Sequence, residues 1–437
     1  MKKWVTLLAA ISTTVAMGMT STAFAGDKED DKTITFWNIG TAEVDHKLIQ
    51  GGIDEFSSTT SSGYDVDSVE LVNDKFKEKL VIAMSSGECP DMYNTWTGGP
   101  MIEYINSGYA QPIDDLIKKY GIDKRVMPAA LEQGKYNGHY YAIPMTNISV
   151  CGIYYNKKIF EEVGIDGVPT TLADLEEDCD KIIDAGYVPF ALANSSKWTG
   201  SMYYQCLVAR KAGLEPFQKA AAGEGSFEDE VFVWAGEKIQ DWVKKGYFPE
   251  GFNSMSADDS QDESFFFQGK AAMYLTGSWE SAALHTLSEN AGTDFYDNLG
   301  WFNFPAIEGS EVDPSILCGS VGDLFVAFNC TGEKLDAAVE LASCYSDDNI
   351  VNLDIEIGNL PPVIGVEEKT DDPLNQDIIA AANNASSIQL WWDQYLPPEV
   401  ASAHLDGSQE VFGLTMTPEE AAKKMEEANE AYLNNSK

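Results

Sequence analysis

Two periodicities take turns along the chain. Ile34 and Phe36 alternate with Thr33 and Thr35, so Thr33 to Ile39 reads as a β-strand with one apolar side. Val44, Leu48, Ile53 and Phe56 then recur at helical spacing and predict a helix behind that strand. Val66 to Val72 is extended again, Lys75 to Ser86 reads as a second helix, and Pro90-Asp91-Met92-Tyr93 resumes a strand. Such alternation predicts an α/β fold on a mostly parallel sheet, because parallel neighbours need a crossover helix between them.

Capping residues sharpen two helix starts. Thr171 with Asp174 forms a capping-box pattern, and Thr417-Pro418-Glu419-Glu420 forms a second with proline at the first helical position. Pro418 to Leu433 is therefore a surface helix. Three segments interrupt the alternation: Ala142 to Asn147, Phe302 to Pro305 before the Gly/Ser/acid loop 308–313, and Leu360-Pro361-Pro362. Proline fixes φ and removes a backbone donor, which suits segments that cross between two lobes. A length of 437 residues is enough for two such lobes, each with its own core. No internal repeat is evident.

The first residues follow neither period. Lys2 and Lys3 precede a short apolar stretch, Val5 to Ala16, and Ala23-Phe24-Ala25 supplies a small-x-small cleavage pattern. That stretch is too short to span a bilayer, so residues 1–25 read as a cleaved secretory signal and 26–32 as a charged tether. Net charge is −41, more acidic still once the signal lysines are lost. This field excludes nucleic acid as a partner and disfavours phosphate and polyanionic ligands. The seven cysteines are odd in number with no CxxC pair; most are expected as small buried hydrophobes, and Cys318 and Cys330 can pair if they flank a hairpin or adjacent strands. His46, His139, His285 and His404 lie far apart without metal-ligand spacing, so no metal or cofactor is expected.

A set of loose motifs occurs in a specific order. It runs from Thr33-Ile34-Thr35-Phe36-Trp37 through Ser85 to Asp91, Asn137 to Pro144 and Gly152 to Lys157. Gly164 with Val168-Pro169-Thr170-Thr171 follows, then Phe267 to Met273 leading to Gly277-Ser278-Trp279, then Phe304-Pro305. Gly319 to Gly322 and Trp391 to Pro398 close it. Over residues 33–433 the chain resembles the family 1 extracellular solute-binding proteins, of the maltose- and multiple-sugar-binding type. The resemblance implies a two-lobed periplasmic-binding-protein (type II) architecture with three crossings, a ligand cleft between lobes, and delivery to ABC permease subunits. It divides the chain into an N-terminal lobe, 26–147 and 306–358, and a C-terminal lobe, 148–305 and 359–437. Many relatives carry a lipid-modified cysteine after the signal. Here the first cysteine is Cys89, which favours a freely diffusing periplasmic protein over one held at the cell surface; a monomer is expected.

A sugar presents apolar C–H faces to indole rings and an equator of hydroxyls to carboxylates and amides. Trp37, Asn38 and Glu43 follow the first strand, and Asn94 and Trp96 follow the third. Asn194 and Trp198 stand in a polar loop. Trp279 and Glu280 stand where the family's pattern places a stacking platform. Gly319 and Ser320 lie in a glycine turn that lets backbone approach a ligand, and Trp391 and Asp393 form a lid in which Trp391 or Trp392 faces inward. Asp91 is expected to be structural. The reading is a carbohydrate-binding subunit that closes by hinge motion and does no chemistry. A polyol or other non-sugar solute is the alternative, followed by a secreted glycoside hydrolase with a carboxylate pair.

Overall fold

Alternation along Thr33–Asn38 puts Ile34, Phe36 and Asn38 on a buried side and Thr35 and Trp37 on a half-buried one, making strand β1. The computed structural model describes residues 32–435; the signal and the tether before Lys32 lie outside them. Strand β1 is followed by helix α1 (Glu43–Thr59), β2 (Asp65–Glu70), α2 (Asn73–Ser86), β3 (Met92–Thr95), β4 (Ala142–Pro144) and β5 (Ser149–Asn156). Then come α3 (Leu172–Asp184), β6 (Val188–Ala191), α4 (Trp198–Ala212), α5 (Gln261–Phe267), β7 (Ala271–Gly277) and α6 (Glu280–Ala291). The remaining elements used below are β8 (Leu299–Phe302), β9 (Leu317–Ser320), β10 (Phe325–Phe328), α7 (Gly332–Cys344), α8 (Asp348–Glu356), β11 (Ile388–Gln389) and α9 (Pro418–Asn435).

These strands form two sheets rather than one. The first has the order β2-β1-β3-β10-β4, with Phe36 opposite Ser68 and Met92 in parallel pairs and Phe325 opposite Thr95 in an antiparallel one. The second has the order β11-β9-β5-β7-β6, with β8 also on β5. Both sheets are mixed, not mostly parallel. The strands that follow a crossing, β10 in the first sheet and β5 in the second, run against all their neighbours. Each sheet is covered on both faces. Ile34, Phe36, Leu48, Phe56 and Val326 fill one face of the first, and Phe76, Tyr93 and Phe325 the other. The aromatic core around Phe190, Tyr203, Trp242 and Trp392 fills one face of the second. No described helix is long and apolar enough to cross a membrane.

The chain passes between sheets three times. The first passage, Met145–Ile148, links β4 to β5, and the third leads past Leu360. The second is at Val321–Leu324, not at Phe302–Pro305, because β8 and β9 both belong to the second sheet and only β10 returns to the first. The prolines near 305 bound an excursion within one lobe. The three passages are hydrogen-bonded to one another. Asn147 Oδ1 accepts the Leu360 N–H at 2.8 Å, its Nδ2 donates to Asn359 Oδ1 at 3.1 Å, and its carbonyl accepts the Asp323 N–H at 2.7 Å. Met145 N–H donates to the Leu324 carbonyl at 2.7 Å.

Both capping boxes form as the sequence predicts. Thr171 Oγ1 accepts the Asp174 N–H at 3.1 Å while Asp174 returns the bond at 3.0 Å. Thr417 and Glu420 do the same at 3.2 and 3.0 Å. The described cysteines are all free. Cys318 and Cys330 do not pair, because β9 carries the first within the second sheet while Cys330 packs in the core of the first.

Asn147 is buried, and losing its side chain strands the Leu360 N–H and Asn359. Asn147→Ala is expected to lower unfolding free energy by about 1–3 kcal/mol, measured as a reduced urea midpoint.

Candidate functional site

Between the sheets lies a cavity of about 280 Å³ whose wall comes from both lobes. α1, α2 and Trp96 line it from the first; α4, α5, Trp279, Glu280, Trp391 and Asp393 line it from the second; Asn147 and Asp323 form its floor at the crossings.

Three indoles form a run along the second lobe. The Trp198 and Trp279 rings stand 6.1 Å apart at 64°, and Trp279 and Trp391 stand 5.8 Å apart at 62°. Gly277 ends β7 and seats the middle ring: a Cβ there would fall 2.0 Å from the Trp279 ring, so no other residue allows the indole to lie over the strand end. Ser278 fixes the same corner by accepting the Val150 N–H at 3.0 Å. Trp198 opens α4 under the control of Asn194, whose Oδ1 accepts the Gly200 N–H at 2.9 Å and whose Nδ2 donates to Asn253 at 2.7 Å. Trp391 donates its Nε1–H to Ser149 Oγ at 3.2 Å, and Ser149 in turn hydrogen-bonds Asp323. Trp392 turns away, stacked on Phe217 at 4.4 Å and 3° in the core. Gln205 holds the Trp391–Trp392 turn, accepting the Trp392 N–H at 3.2 Å and donating to the Leu390 carbonyl at 3.2 Å. From the opposite lobe Trp96 faces the gap with the Lys77 ammonium 4.4 Å over its ring.

Six of the residues singled out from sequence thus share one wall: Trp96, Trp198, Trp279, Glu280, Trp391 and Asp393. The others support it or lie elsewhere. Trp37 is on the opposite side of β1 from Phe36 and packs under α2. Asn38 is buried, donating to Ser68 Oγ at 2.9 Å and accepting the Gly40 N–H at 2.9 Å. Asn94 accepts the Ile39 N–H at 3.1 Å and so fastens the end of β1. Asn194 is the clamp beneath Trp198 rather than a contact. Glu43 stands exposed on the rim, paired with Lys47 at 2.9 Å and accepting from Asn290 Nδ2 of the second lobe at 3.1 Å. Gly319 permits close strand approach, since a Cβ would meet the Ser149 carbonyl at 2.1 Å, and Ser320 is buried with its Oγ–H donated to Gln133 at 2.5 Å. Strand ends collect both ligand-facing and strand-fastening amides, and spacing alone does not separate them. Asp91 is structural as expected, accepting Thr35 N–H and Oγ1–H at 3.0 Å each.

The sequence reading missed most of the acid. Asp45 on α1, Asp262 and Glu263 on α5, and Asp323 in the second passage all enter the wall. Burial pushes the carboxyls of Asp45 and Asp262 up to about 6 and that of Asp323 up to about 7. Repulsion from Glu263 adds to the shift at Asp45, and repulsion from Asp45 adds at Asp323. Burial also holds Glu280 well above the carboxylate range, with Glu263, Asp262 and Asp45 reinforcing it. Only Asp323's place directly after the Gly319–Gly322 turn offered a signal in the sequence.

Two lobes, three crossings and an aromatic-acidic gap between them define a cleft-binding protein. The family profile of bacterial extracellular solute-binding proteins matches residues 20–348, and the chain belongs to that family. It is 24% identical over 431 residues to a probable sugar-binding periplasmic protein of Mesorhizobium japonicum, covering 96% of this chain and 97% of that one. An ABC transporter extracellular-binding protein of Pyrococcus horikoshii is 30% identical over 207 residues, and the match spans 46% of this chain and 45% of the relative. Among solved structures, one from work on xylan utilization by Caldanaerobius polysaccharolyticus superposes with a TM-score of 0.82 at 28% identity. It covers 90% of this chain and 99% of that one. A chitin oligosaccharide binding protein also reaches 0.82, at 23% identity, over 91% and 98% of the two chains.

Raised carboxyl pKa values make the folded form bind more protons than the unfolded one between about pH 4 and 7, so this contribution to stability falls as pH rises through that window. Asp323→Asn cannot ionise. Its melting temperature relative to wild type is expected to rise between pH 5 and pH 8; a constant difference across that range would contradict the shift.

Proposed function

We propose that the chain is the carbohydrate-capturing subunit of an ABC importer and performs no chemistry. One lobe comprises 33–146 with 322–358 and the other 148–320 with 360–435, exchanged at the second passage sixteen residues later than the motifs implied. The observation that carries the reading is the run of Trp198, Trp279 and Trp391 facing Trp96 across one cavity. Offset indoles suit the C–H faces of successive rings, and carboxylates between them accept hydroxyl protons. Sugar touching both lobes favours the closed form, and closure presents a composite surface to the permease. The protein works as an exported monomer in the periplasm. Its relatives' names, sugar-binding and chitin-oligosaccharide-binding, support the same ligand class.

A glycoside hydrolase also needs two carboxylates at a defined separation, one of them protonated. Oligosaccharide incubated with stoichiometric protein is expected to come back uncleaved.

A thermal-shift screen against mono- and oligosaccharides tests the reading, since a ligand that binds only the native form raises the melting temperature. At least one sugar is expected to give a positive shift, and Trp279→Ala to weaken its binding by at least about 30-fold, roughly 2 kcal/mol. No shift from any sugar would remove the assignment.

A further inference from the structure

The cavity wall is lopsided in charge. Seven carboxylates enter it, Asp258 at the rim included, against one cation, Lys77. They come from both sides of the gap: Asp45 from α1, Asp262 and Glu263 from α5, Glu280 from α6, Asp323 from the second passage and Asp393 from the short helix Trp392–Tyr395. Two are left without full pairing. Glu280 is only 7% exposed, yet its carboxylate has no hydrogen-bond or ion-pair partner among the described residues. Asp262 is 1% exposed and its Oδ2 has no partner, while the rest of its carboxyl is held by the Glu263 N–H at 3.1 Å and by the Tyr274 hydroxyl. A buried carboxylate with nothing to bind is disfavoured as the anion unless a donor or a proton reaches it. A neutral sugar offers hydroxyl donors but leaves the net charge of the site unchanged.

We propose that the cleft takes an aminated carbohydrate, a sugar whose ring carries a free ammonium group, seated between the Glu280 and Asp262 carboxylates and the Trp279 face. This rests on the sugar-binding reading and narrows its ligand class. The ammonium supplies donors to the Glu280 carboxylate and to the open Oδ2 of Asp262, and is attracted to the electron-rich indole face. The ring skeleton occupies the stacking run, which a bare cation does not use. A metal ion is a poor match, because the described residues contain no group of three His, Cys, Asp or Glu able to hold one. Uronates, sialates and sugar phosphates are repelled by the same wall.

The test is a set of matched pairs titrated by calorimetry into the full chain at pH 7: glucosamine with glucose, galactosamine with galactose, mannosamine with mannose, and the fully deacetylated chitin dimer with cellobiose. In at least one pair the aminated member is expected to bind at least tenfold more tightly. Glu280→Gln is expected to cut that aminated-to-neutral ratio at least fivefold. Should this variant fail to fold, Asp45→Asn reads the same ratio from the opposite lobe. Neutral members binding as well as or better than aminated ones, or an unchanged ratio in the folded variant, overturns the inference and leaves the sugar assignment standing. No binding by these or any neutral oligosaccharide, or binding by spermidine alone, removes both.

Discussion

The cleft exists because three chain passages are fastened together at one buried side chain. Asn147 ties the third passage through its amide and the second through its carbonyl, while Met145 holds Leu324. Both ends of the Asn147 side-chain amide and its carbonyl are paired, as burial of polar groups requires. The lobes can therefore pivot without the passages sliding past one another. The same segments supply cavity floor, since Asn147 and Asp323 are hinge residues and wall residues at once. A relay from Trp391 through Ser149 to Asp323 links the end of the aromatic run to that pivot.

Around this hinge the site combines two opposed tendencies. The indoles favour bringing the lobes onto a ring-shaped guest, because apolar faces leave water when they stack. The carboxylates oppose closure. Asp45 faces Glu263 and Glu280 from the other lobe, and repulsion between them adds to the upward push that burial puts on the proton affinities of Asp45 and Glu280. Closing the gap requires protons, hydroxyl donors or an ammonium to offset it.

The α/β class, the first helices and strands and both capping boxes were legible, because each rests on local spacing and side-chain chemistry. Sheet direction was not, since which strand reverses depends on where the chain changes lobe. That misplaced the second passage: prolines at 305 gave a boundary signal, whereas Val321-Gly322-Asp323-Leu324 carries none. Tryptophan was the most informative residue, and four of the indoles named from sequence line the gap. Trp37 failed because one residue of strand register decides which face a side chain takes. The amides at 38, 94 and 194 failed for a related reason: they complete the hydrogen bonding of the strand and helix ends that hold the indoles. Most acids of the wall were invisible, since an Asp in the first turn of a helix, such as Asp45, ordinarily reads as a favourable charge on the helix dipole.

Two bonds close the rim from outside. The Asp74 N–H donates to Asp258 at 3.1 Å, and Asn290 reaches Glu43 at 3.1 Å. Both lie near water, where a single bond contributes little. A clasp this light neither traps cargo nor shuts the jaws by itself. Whatever holds a guest therefore resides in the depth of the cleft rather than at its lip.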